Sequence, residues 1–115
     1  MAERCIFCQI VAGEIPSDIV YQDGDFLAFR DIMPKAPTHV LIIPKTHITS
    51  AAELTEGQEK LAGRLIIIAK NLAEKEGIAE SGFRLVINCG SEGGQIVPHL
   101  HLHLIGGRQM DAKLG

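Results

Sequence analysis

The sequence contains no long hydrophobic run, since its longest purely apolar stretch is residues 65–69. A helix that spans a bilayer needs about 20 consecutive apolar residues, so we expect no membrane segment. Residues 1–5 also lack the basic region and the long apolar stretch that begin a secretory signal peptide. The sequence therefore predicts a cytoplasmic protein with no membrane partner.

An excess of positive charge is absent as well, because 11 Lys and Arg residues face 14 Asp and Glu residues. Proteins that coat nucleic acid through its phosphates are usually basic, so we expect no nucleic-acid partner. A small anionic ligand is compatible with this balance, because backbone donors and helix ends hold phosphates on acidic proteins too.

Cysteines are few, and linkers and repeats are missing. Three cysteines in a cytoplasmic chain indicate metal-binding, buried or reactive thiols rather than disulfides. No internal repeat, low-complexity tract or Pro/Gly-rich linker divides the 115 residues, and 46% of them are hydrophobic. The sequence therefore predicts one domain over residues 1–115, with a hydrophobic core that does not depend on disulfides or metal ions for its stability.

The spacing of apolar residues predicts an α+β fold built on an antiparallel sheet. A short helix is predicted over residues 5–12, and a long helix follows the capping-box residues Thr55 and Gln58 and ends at Gly77. An Asp-Gly turn at 23–24 joins the first two strands as a hairpin. The five predicted strands span residues 19–22, 25–30, 38–44, 83–88 and 99–105, with the third strand central.

Residues 99–105 are the most informative segment, because histidine and leucine alternate there. Side chains on a strand alternate between its two faces, so His99, His101 and His103 are predicted to point one way and the leucines into the core. Three interpretations fit this pattern: a solvated face, a zinc site formed by paired imidazoles, and a nucleophile with supporting donors.

The residues before this segment favour a phosphate ligand. Glycines at positions 90, 93 and 94 let backbone N–H groups approach an anion closely. Asn88, at the end of the preceding predicted strand, is placed to contact a ribose hydroxyl. A glycine loop alone is a weak signal, but its position directly before three histidines supports a nucleotide ligand.

Together these motifs resemble the histidine-triad (HIT) family, whose signature is three histidines separated by single apolar residues. The resemblance covers nearly the whole chain, including residues 31–39, 43–48 and 88–95, and residues 106–110 are typical of the Hint branch, the purine nucleoside phosphoramidases. It implies the HIT fold, a five-stranded antiparallel sheet with a short N-terminal helix and one long helix that pairs as a homodimer. The wide apolar face of residues 61–72 is consistent with that pairing.

In this family the middle histidine, here His101, attacks the α-phosphate of a purine nucleoside monophosphate conjugate and forms a nucleotidyl-imidazole, which water hydrolyses. A backbone carbonyl on its other ring nitrogen would fix the tautomer of His101. The resemblance implies that His103 contacts the phosphate oxygens, that His99 completes the triad and that His39 supports the network. A hydrogen-bonded core residue is the alternative interpretation of His39. No cofactor is expected for catalysis.

The resemblance also implies a set of nucleotide-binding residues. Asp31 would accept hydrogen bonds from the ribose, with Asn88 nearby, although Asp31 also suits the turn before Pro34. Gly94 and Gln95 would place main-chain and side-chain donors near the α-phosphate. The apolar base pocket of the family matches residues that are, taken singly, more typical of a core: Ile6, Phe7, Phe29, Ile32 and Leu41.

Two departures from the family pattern concern the leaving group. Ile96 stands where Hint-type proteins usually carry a serine that donates to the phosphate or the leaving group. Because Ile96 cannot donate, we expect a weaker rate or an altered leaving-group preference, by at most ~1.5–3 kcal/mol. Residues 111–115 also differ from the usual aromatic and proline ending, so the resemblance does not determine the leaving group.

Cys5 and Cys8 form a CxxC motif, which supplies half of a four-ligand zinc site. Several bacterial-type HIT proteins complete such a pair with two histidines that correspond to His47 and His99. The resemblance therefore implies a closed, structural Cys₂His₂ zinc site that leaves His101 free. Buried or redox-reactive thiols are the alternative. Cys89 is predicted to be a small buried residue.

The function that we predict is hydrolysis of a phosphoramidate of AMP or GMP. A dinucleoside polyphosphate hydrolase is the enzymatic alternative, which residues 106–110 disfavour. A non-catalytic nucleotide-binding or scaffold dimer is a third hypothesis, opposed by the intact triad. A zinc hydrolase that uses all three triad histidines is the fourth, and activity that resists chelation would separate it from the phosphoramidase.

Overall fold

The computed structural model describes residues 5–113. Two 3-10 turns, Ala51–Glu53 and Glu56–Gln58, precede the long helix. In chain order the helices and strands are α1 (Ile6–Val11), β1 (Ile19–Gln22), β2 (Phe26–Arg30), β3 (Thr38–Pro44), α2 (Glu59–Lys75), β4 (Phe83–Val86) and β5 (Leu102–Gly106). The strands form one antiparallel sheet in the order β1-β2-β3-β5-β4. The predicted fold, an antiparallel five-stranded sheet with one short and one long helix, is confirmed.

Strand β3 lies at the centre of the sheet, and all seven of its residues are buried. Val40 and Ile42 belong to the core that α2 covers. Leu41 and Ile43 face the other way and belong to a second core, which Phe7 of α1 shares. Because strand side chains alternate between faces, β3 separates these two cores. Neither helix of the described chain has the length and hydrophobicity that a bilayer crossing requires.

Short polar contacts determine where several elements begin. In the turn between β1 and β2, Asp23 Oδ1 accepts hydrogen bonds from the backbone N–H groups of Asp25 and Phe26, each at 2.8 Å. The capping-box residues Thr55 and Gln58 lie on the 3-10 turn before α2, where the Thr55 N–H donates to Gln58 Oε1 at 2.9 Å. The cap therefore stands one turn ahead of α2 rather than at its first residue.

The end of β2 is joined to the end of α2 by a bidentate ion pair. Nη1 and Nη2 of Arg30 each donate to a carboxylate oxygen of Glu76 at 2.9 Å. The Arg30 guanidinium holds the pKa of the Glu76 carboxyl below its usual value. Gly77 follows with φ +76°, a left-handed conformation that ends the helix and that glycine adopts readily.

The last strand is shorter than the sequence pattern predicts. Strand β5 begins at Leu102, so His99 and His101 lie in the segment that precedes it. There the Leu100 N–H donates to the Ile48 carbonyl at 2.6 Å, which belongs to a loop rather than to a strand. The prediction that all three triad histidines share one face of a strand is therefore wrong, because this contact holds the chain outside the ladder.

Two further predictions need correction in the neighbouring segment. Strand β4 ends at Val86 rather than at residue 88. Cys89, predicted to be buried, is exposed, because it lies in the loop beyond the end of that strand.

Candidate active site

A cavity of about 900 Å³ opens on the face of the sheet opposite α2. The strand register determines which side chains line it. Aligned positions on β2, β3, β5 and β4 form one row across the sheet, consisting of Phe29, Leu41, His103 and Val86. The next row contains His39, Ile105 and Arg84. All seven residues line the cavity, together with His101 from the segment before β5.

His101 is held in one tautomer by the backbone. Its Nδ1 lies 2.7 Å from the carbonyl oxygen of His99. Because a carbonyl can only accept, Nδ1 carries the proton and Nε2 keeps a lone pair. The edge of the Phe7 ring packs against the buried imidazole, with centroids 5.2 Å apart. This arrangement suits a nitrogen nucleophile, and the predicted backbone partner is the His99 carbonyl.

His39 and His103 form a hydrogen-bonded relay with a defined direction. The backbone N–H of Lys35 donates to His39 Nδ1 at 3.0 Å, so the proton of neutral His39 is on Nε2. His39 Nε2 lies 3.0 Å from His103 Nδ1 and therefore donates to it. His103 then carries its own proton on Nε2. Of the two adjacent imidazoles, His101 offers a lone pair and His103 offers an N–H donor.

Burial keeps the relay neutral at physiological pH. Desolvation, reinforced by the neighbouring imidazoles of His101 and His39, lowers the pKa of His103 to about 4. Desolvation also lowers the pKa of His39, against the opposing effect of the Asp31 carboxylate. His103 therefore donates a hydrogen bond as a neutral imidazole, without a charge that competes for the lone pair of His101.

Asp31 lies at the ribose end predicted for the cavity and also acts in the turn. Its Oδ2 is 3.4 Å from His39 Nε2, while its Oδ1 accepts the Met33 N–H at 2.8 Å. The turn interpretation of Asp31 therefore describes a contact in the structure, and its ribose role stays a prediction. The predicted base-pocket residues all line the cavity; three of them are buried (Phe7, Phe29 and Leu41) and two are exposed at its edge (Ile6 and Ile32).

Backbone donors of the glycine loop, residues 90–95, form hydrogen bonds within the loop itself. The N–H groups of Gly94 and Gln95 donate to the carbonyls of Ser91 and Gly90, at 3.1 and 3.0 Å. The side-chain amide of Gln95 donates to the carbonyl of Thr49 at 2.7 Å, and Gln95 does not line the cavity. Gly94 lines the cavity, and the role of these two residues as phosphate donors stays a prediction, since in the structure their N–H groups donate to protein carbonyls.

Three further residues of this segment line the cavity or shape it. Asn88 lines the cavity and donates from Nδ2 to the Gly93 carbonyl at 2.8 Å. A Cβ at Gly93 would lie 2.2 Å from the Cys89 carbonyl oxygen, so only glycine fits there. Ile96 lines the cavity and is 91% exposed, which leaves its position open to a ligand.

A second histidine site lies beside the cavity, formed by Cys5, Cys8, His47 and His99; we call it the Cys/His cluster. Cys5 Sγ and Cys8 Sγ lie 3.3 and 3.6 Å from His99 Nδ1. Cys8 Sγ also lies 3.3 Å from His47 Nδ1. One donor atom from each of the four residues lies within 4.8 Å of every other.

The donor set fits a tetrahedral zinc ion. Zinc bonds of roughly 2.3 Å to sulfur and about 2.0 Å to nitrogen place these atoms about 3.6 Å apart. His99 Nε2 donates to the Pro44 carbonyl at 2.9 Å, which leaves Nδ1 deprotonated and directed at the sulfurs. Burial and the Cys5 sulfur raise the pKa of the Cys8 thiol to about 11. Metal binding would therefore release protons and strengthen as the pH rises.

His99 connects the two sites through different atoms. Its ring belongs to the Cys/His cluster, whereas its carbonyl oxygen accepts the hydrogen bond from His101. The ring of His99 does not line the cavity. The three triad imidazoles therefore do not converge on one point, which removes the geometry that a zinc hydrolase using all three would need.

The sequence analysis missed a group of cationic side chains that line the cavity on the side of β4 and the C-terminal segment. Arg84 and Arg108 are the main members, with Lys35 and Lys113 nearby. The alternation of β4 could have revealed Arg84, since it shares a strand face with Val86. Nothing local to residues 108–113 indicates that this segment folds back over the sheet.

Comparison with known proteins identifies relatives along nearly the whole chain. A model of the HIT domain family matches residues 12–110. The purine nucleoside phosphoramidase of Escherichia coli strain K12 is 52% identical over 114 residues, covering 99% of this chain and 96% of that protein. The 14 kDa zinc-binding protein of Zea mays is 51% identical over 108 residues, covering 92% of this chain and 84% of that protein.

A solved structure shows the same fold. The crystal structure of a HIT family hydrolase from Legionella pneumophila Philadelphia 1 superposes with a TM-score of 0.95. Its sequence is 52% identical, and the match covers 97% of this chain and 100% of that one.

Proposed function

This chain belongs to the HIT domain family and is a hydrolase of that family, and from this premise we propose that it cleaves the P–N bond of purine nucleoside phosphoramidates. One observation carries the proposal: the lone pair on His101 Nε2 and the N–H of His103 stand side by side in the cavity. The name of the Escherichia coli relative, which is 52% identical, supports the choice of bond.

The first step is attack by His101 on the α-phosphorus. The base of AMP or GMP lies on Phe29 and Leu41, and the ribose hydroxyls reach Asp31. His101 Nε2 bonds to phosphorus while the P–N bond breaks, and the amine leaves with the bonding electrons and takes up a proton from solvent. The imidazole becomes cationic, and the His99 carbonyl on Nδ1–H stabilises that charge.

The second step is hydrolysis of the nucleotidyl-imidazole. Water attacks phosphorus, the bond to His101 Nε2 breaks, and a proton is released to solvent as the nucleoside monophosphate forms. The Nε2–H of His103 donates to a phosphate oxygen in both steps, which offsets the charge that develops there. His39 acts through His103, because it holds the proton of that imidazole on the side of the cavity.

The experiment is hydrolysis of adenosine 5′-phosphoramidate by the wild type and by His101→Asn, each with and without a chelator. We expect a loss of roughly 10⁴-fold in kcat/KM for the variant, with AMP binding retained, and no effect of chelator on the reaction step. Single-turnover measurements should show release of the amine before AMP. A wild type that binds AMP and cleaves nothing would instead favour a nucleotide-binding or scaffold role.

We also propose that the Cys/His cluster holds a structural zinc ion that takes no part in the reaction. The zinc-binding relative from Zea mays, at 51% identity, supports this assignment. The three cysteines are unpaired, which suits the reducing cytoplasm, where we place the protein. Elemental analysis of protein purified with a reductant should give one zinc per chain.

A homodimer completes the proposal. Strand β4 is an edge of the sheet, and Ile66 and Ile67 of α2 are about half exposed. An unpaired edge and exposed apolar residues favour pairing with a second copy. Light scattering should report a dimer for the wild type and a monomer for Ile67→Glu. Ile19→Glu, at the opposite edge, is the matched control and should remain a dimer.

A further inference from the structure

The cavity has a cationic side. Arg84 on β4 and Arg108 after β5 line it, as do Lys35 and Lys113. Two carboxylates also line the cavity: Asp31, whose Oδ2 lies 3.4 Å from His39 Nε2, and Asp111, whose Oδ1 accepts the Lys113 backbone N–H at 3.1 Å. The chain as a whole carries a net charge of −3, so this concentration of positive charge is local.

The two arginines are held in place by neutral groups. Arg84 Nη2 donates to the Asp111 carbonyl at 2.7 Å, and Arg108 Nε donates to the Lys35 carbonyl at 2.9 Å. Within residues 5–113, neither guanidinium forms an ion pair with a carboxylate, whereas Arg30 pairs with Glu76 at 2.9 Å. Backbone carbonyls orient Arg84 and Arg108 without neutralising their charge.

The cationic side adjoins the reactive histidines. Of the residues assigned to the base and the ribose, Phe29 lies on β2, Leu41 lies on β3 and Asp31 directly follows β2. His101 lies in the segment before β5 and His103 on β5, and β4 is the next strand of the sheet, with Arg84 aligned to Ile105, one row from His103. With the proposed nucleoside over β2 and β3, the side of the cavity formed by β4 and the C-terminal segment is left for the third phosphorus substituent.

We propose that the preferred leaving group carries an anion, a carboxylate or a phosphate, which Arg84 and Arg108 bind. The inference rests on the proposed phosphoramidase activity and adds the chemical class of the amine. Planar guanidinium groups bind carboxylate and phosphate oxygens through paired N–H donors. The same positive charge disfavours amines that carry a second cation, because like charges repel at this range.

Matched substrates test the charge. Adenosine 5′-phosphoramidates of glycine and glycinamide differ by one carboxylate, and those of O-phosphoethanolamine and ethanolamine differ by one phosphate. For each pair, the ratio of kcat/KM for the anionic substrate to that for the neutral one is measured in the wild type, Arg84→Gln, Arg84→Lys and Arg108→Gln. Lys60→Gln, exposed on α2 across the sheet, is the charge-matched control.

We expect the ratio to fall roughly five- to tenfold in Arg84→Gln and Arg108→Gln, to recover partly in Arg84→Lys and to stay unchanged in Lys60→Gln. It should also decline as ionic strength rises. The pair with the larger change identifies carboxylate or phosphate as the bound anion. Hydrolysis of all four substrates with equal ratios in every variant would overturn this inference alone. Hydrolysis of none by the wild type would overturn the phosphoramidase proposal and this inference with it.

Discussion

The Cys/His cluster and the reactive cavity are built from the same side chain and differ in how it is enclosed. His99 and His101 are two residues apart, and both are buried. The ring of His99 is surrounded by two sulfurs and a backbone carbonyl, so every nitrogen has a protein partner. Within residues 5–113 the Nε2 of His101 has no hydrogen-bond partner, and its ring lines a cavity of about 900 Å³.

The difference shows that the second nitrogen decides the role of a histidine. The Nε2–H of His99 donates to the Pro44 carbonyl, which leaves Nδ1 directed at the sulfurs. The Nδ1–H of His101 donates to the His99 carbonyl, which leaves Nε2 open to the cavity. Backbone acceptors thus suit one imidazole to the proposed metal site and the other to the proposed nucleophilic attack, with no difference in the side chains themselves.

The largest expected effect comes from removing a cluster ligand. Cys5→Ala should abolish zinc binding and lower the free energy of unfolding by about 4 kcal/mol, the contribution of a metal present at 1,000 times its Kd. Urea unfolding of wild type and variant, each with and without a chelator, measures it. Chelation should destabilise the wild type and leave the variant unchanged, which separates metal loss from the loss of a buried sulfur.

Cys89→Ser is the control for that experiment, because Cys89 is an exposed thiol outside the cluster. We expect it to bind zinc and unfold as the wild type does. An equal free energy of unfolding for chelated and untreated wild type would contradict a metal role for the cluster. The cluster would then be a packed core that contains thiols, and the comparison would be between that core and the cavity.

An intermediate effect is expected from pH, which acts on the cavity histidines. Burial lowers the pKa of His103 from 6.5 to about 4. Between these values the unfolded chain binds a proton that the folded chain does not, so the free energy of unfolding falls as the pH falls. Urea unfolding from pH 7 to pH 4 should therefore show a smaller decline in His103→Asn than in the wild type. Identical declines would mean that His103 is not the residue that resists protonation.

The smallest effect is expected at the edge of the cavity. Ile96→Ser supplies a hydroxyl donor at an exposed position, and we expect kcat for adenosine 5′-phosphoramidate to rise roughly three- to tenfold. Ile19→Ser makes the same chemical change on β1 and should leave kcat as it is. Unchanged turnover of several substrates by Ile96→Ser would remove Ile96 as a cause of slow reaction and leave the enclosed histidines as the determinants of rate.

Local pattern was sufficient for most of the fold. The nearly continuous apolar run of residues 38–44 predicts β3 as a central strand, and the helical spacing of apolar residues predicts α2, because both signals depend on which faces are buried. The start of β5 could not be predicted in the same way. It depends on the hydrogen bond from Leu100 to the Ile48 carbonyl, which joins residues far apart in the sequence.

The candidate site also contains some residues that the sequence predicts and others that depend on contacts distant in the sequence. The family resemblance points to His101 and to the four cluster residues, and the structure places His101 on the His99 carbonyl and the four cluster residues together. Gln95 shows that a motif does not determine the hydrogen-bond partners of its side chains. Its amide donates to the carbonyls of Thr49 and Val97. Arg108 could not be found because its position relative to the cavity follows from the path of the C-terminal segment, whereas the alternation of β4 could have revealed Arg84.

The ring and the backbone carbonyl of His99 belong to different sites, which has an evolutionary consequence. In the proposed mechanism, the first position of the triad contributes a backbone carbonyl that orients His101 and an imidazole that holds the metal, and only the carbonyl is common to every amino acid. On that mechanism, selection on the side chain at this position acts through stability rather than through turnover. A descendant that anchored residues 97–101 by other means could lose this histidine, and its two cysteine partners, and still orient His101 for the same chemistry.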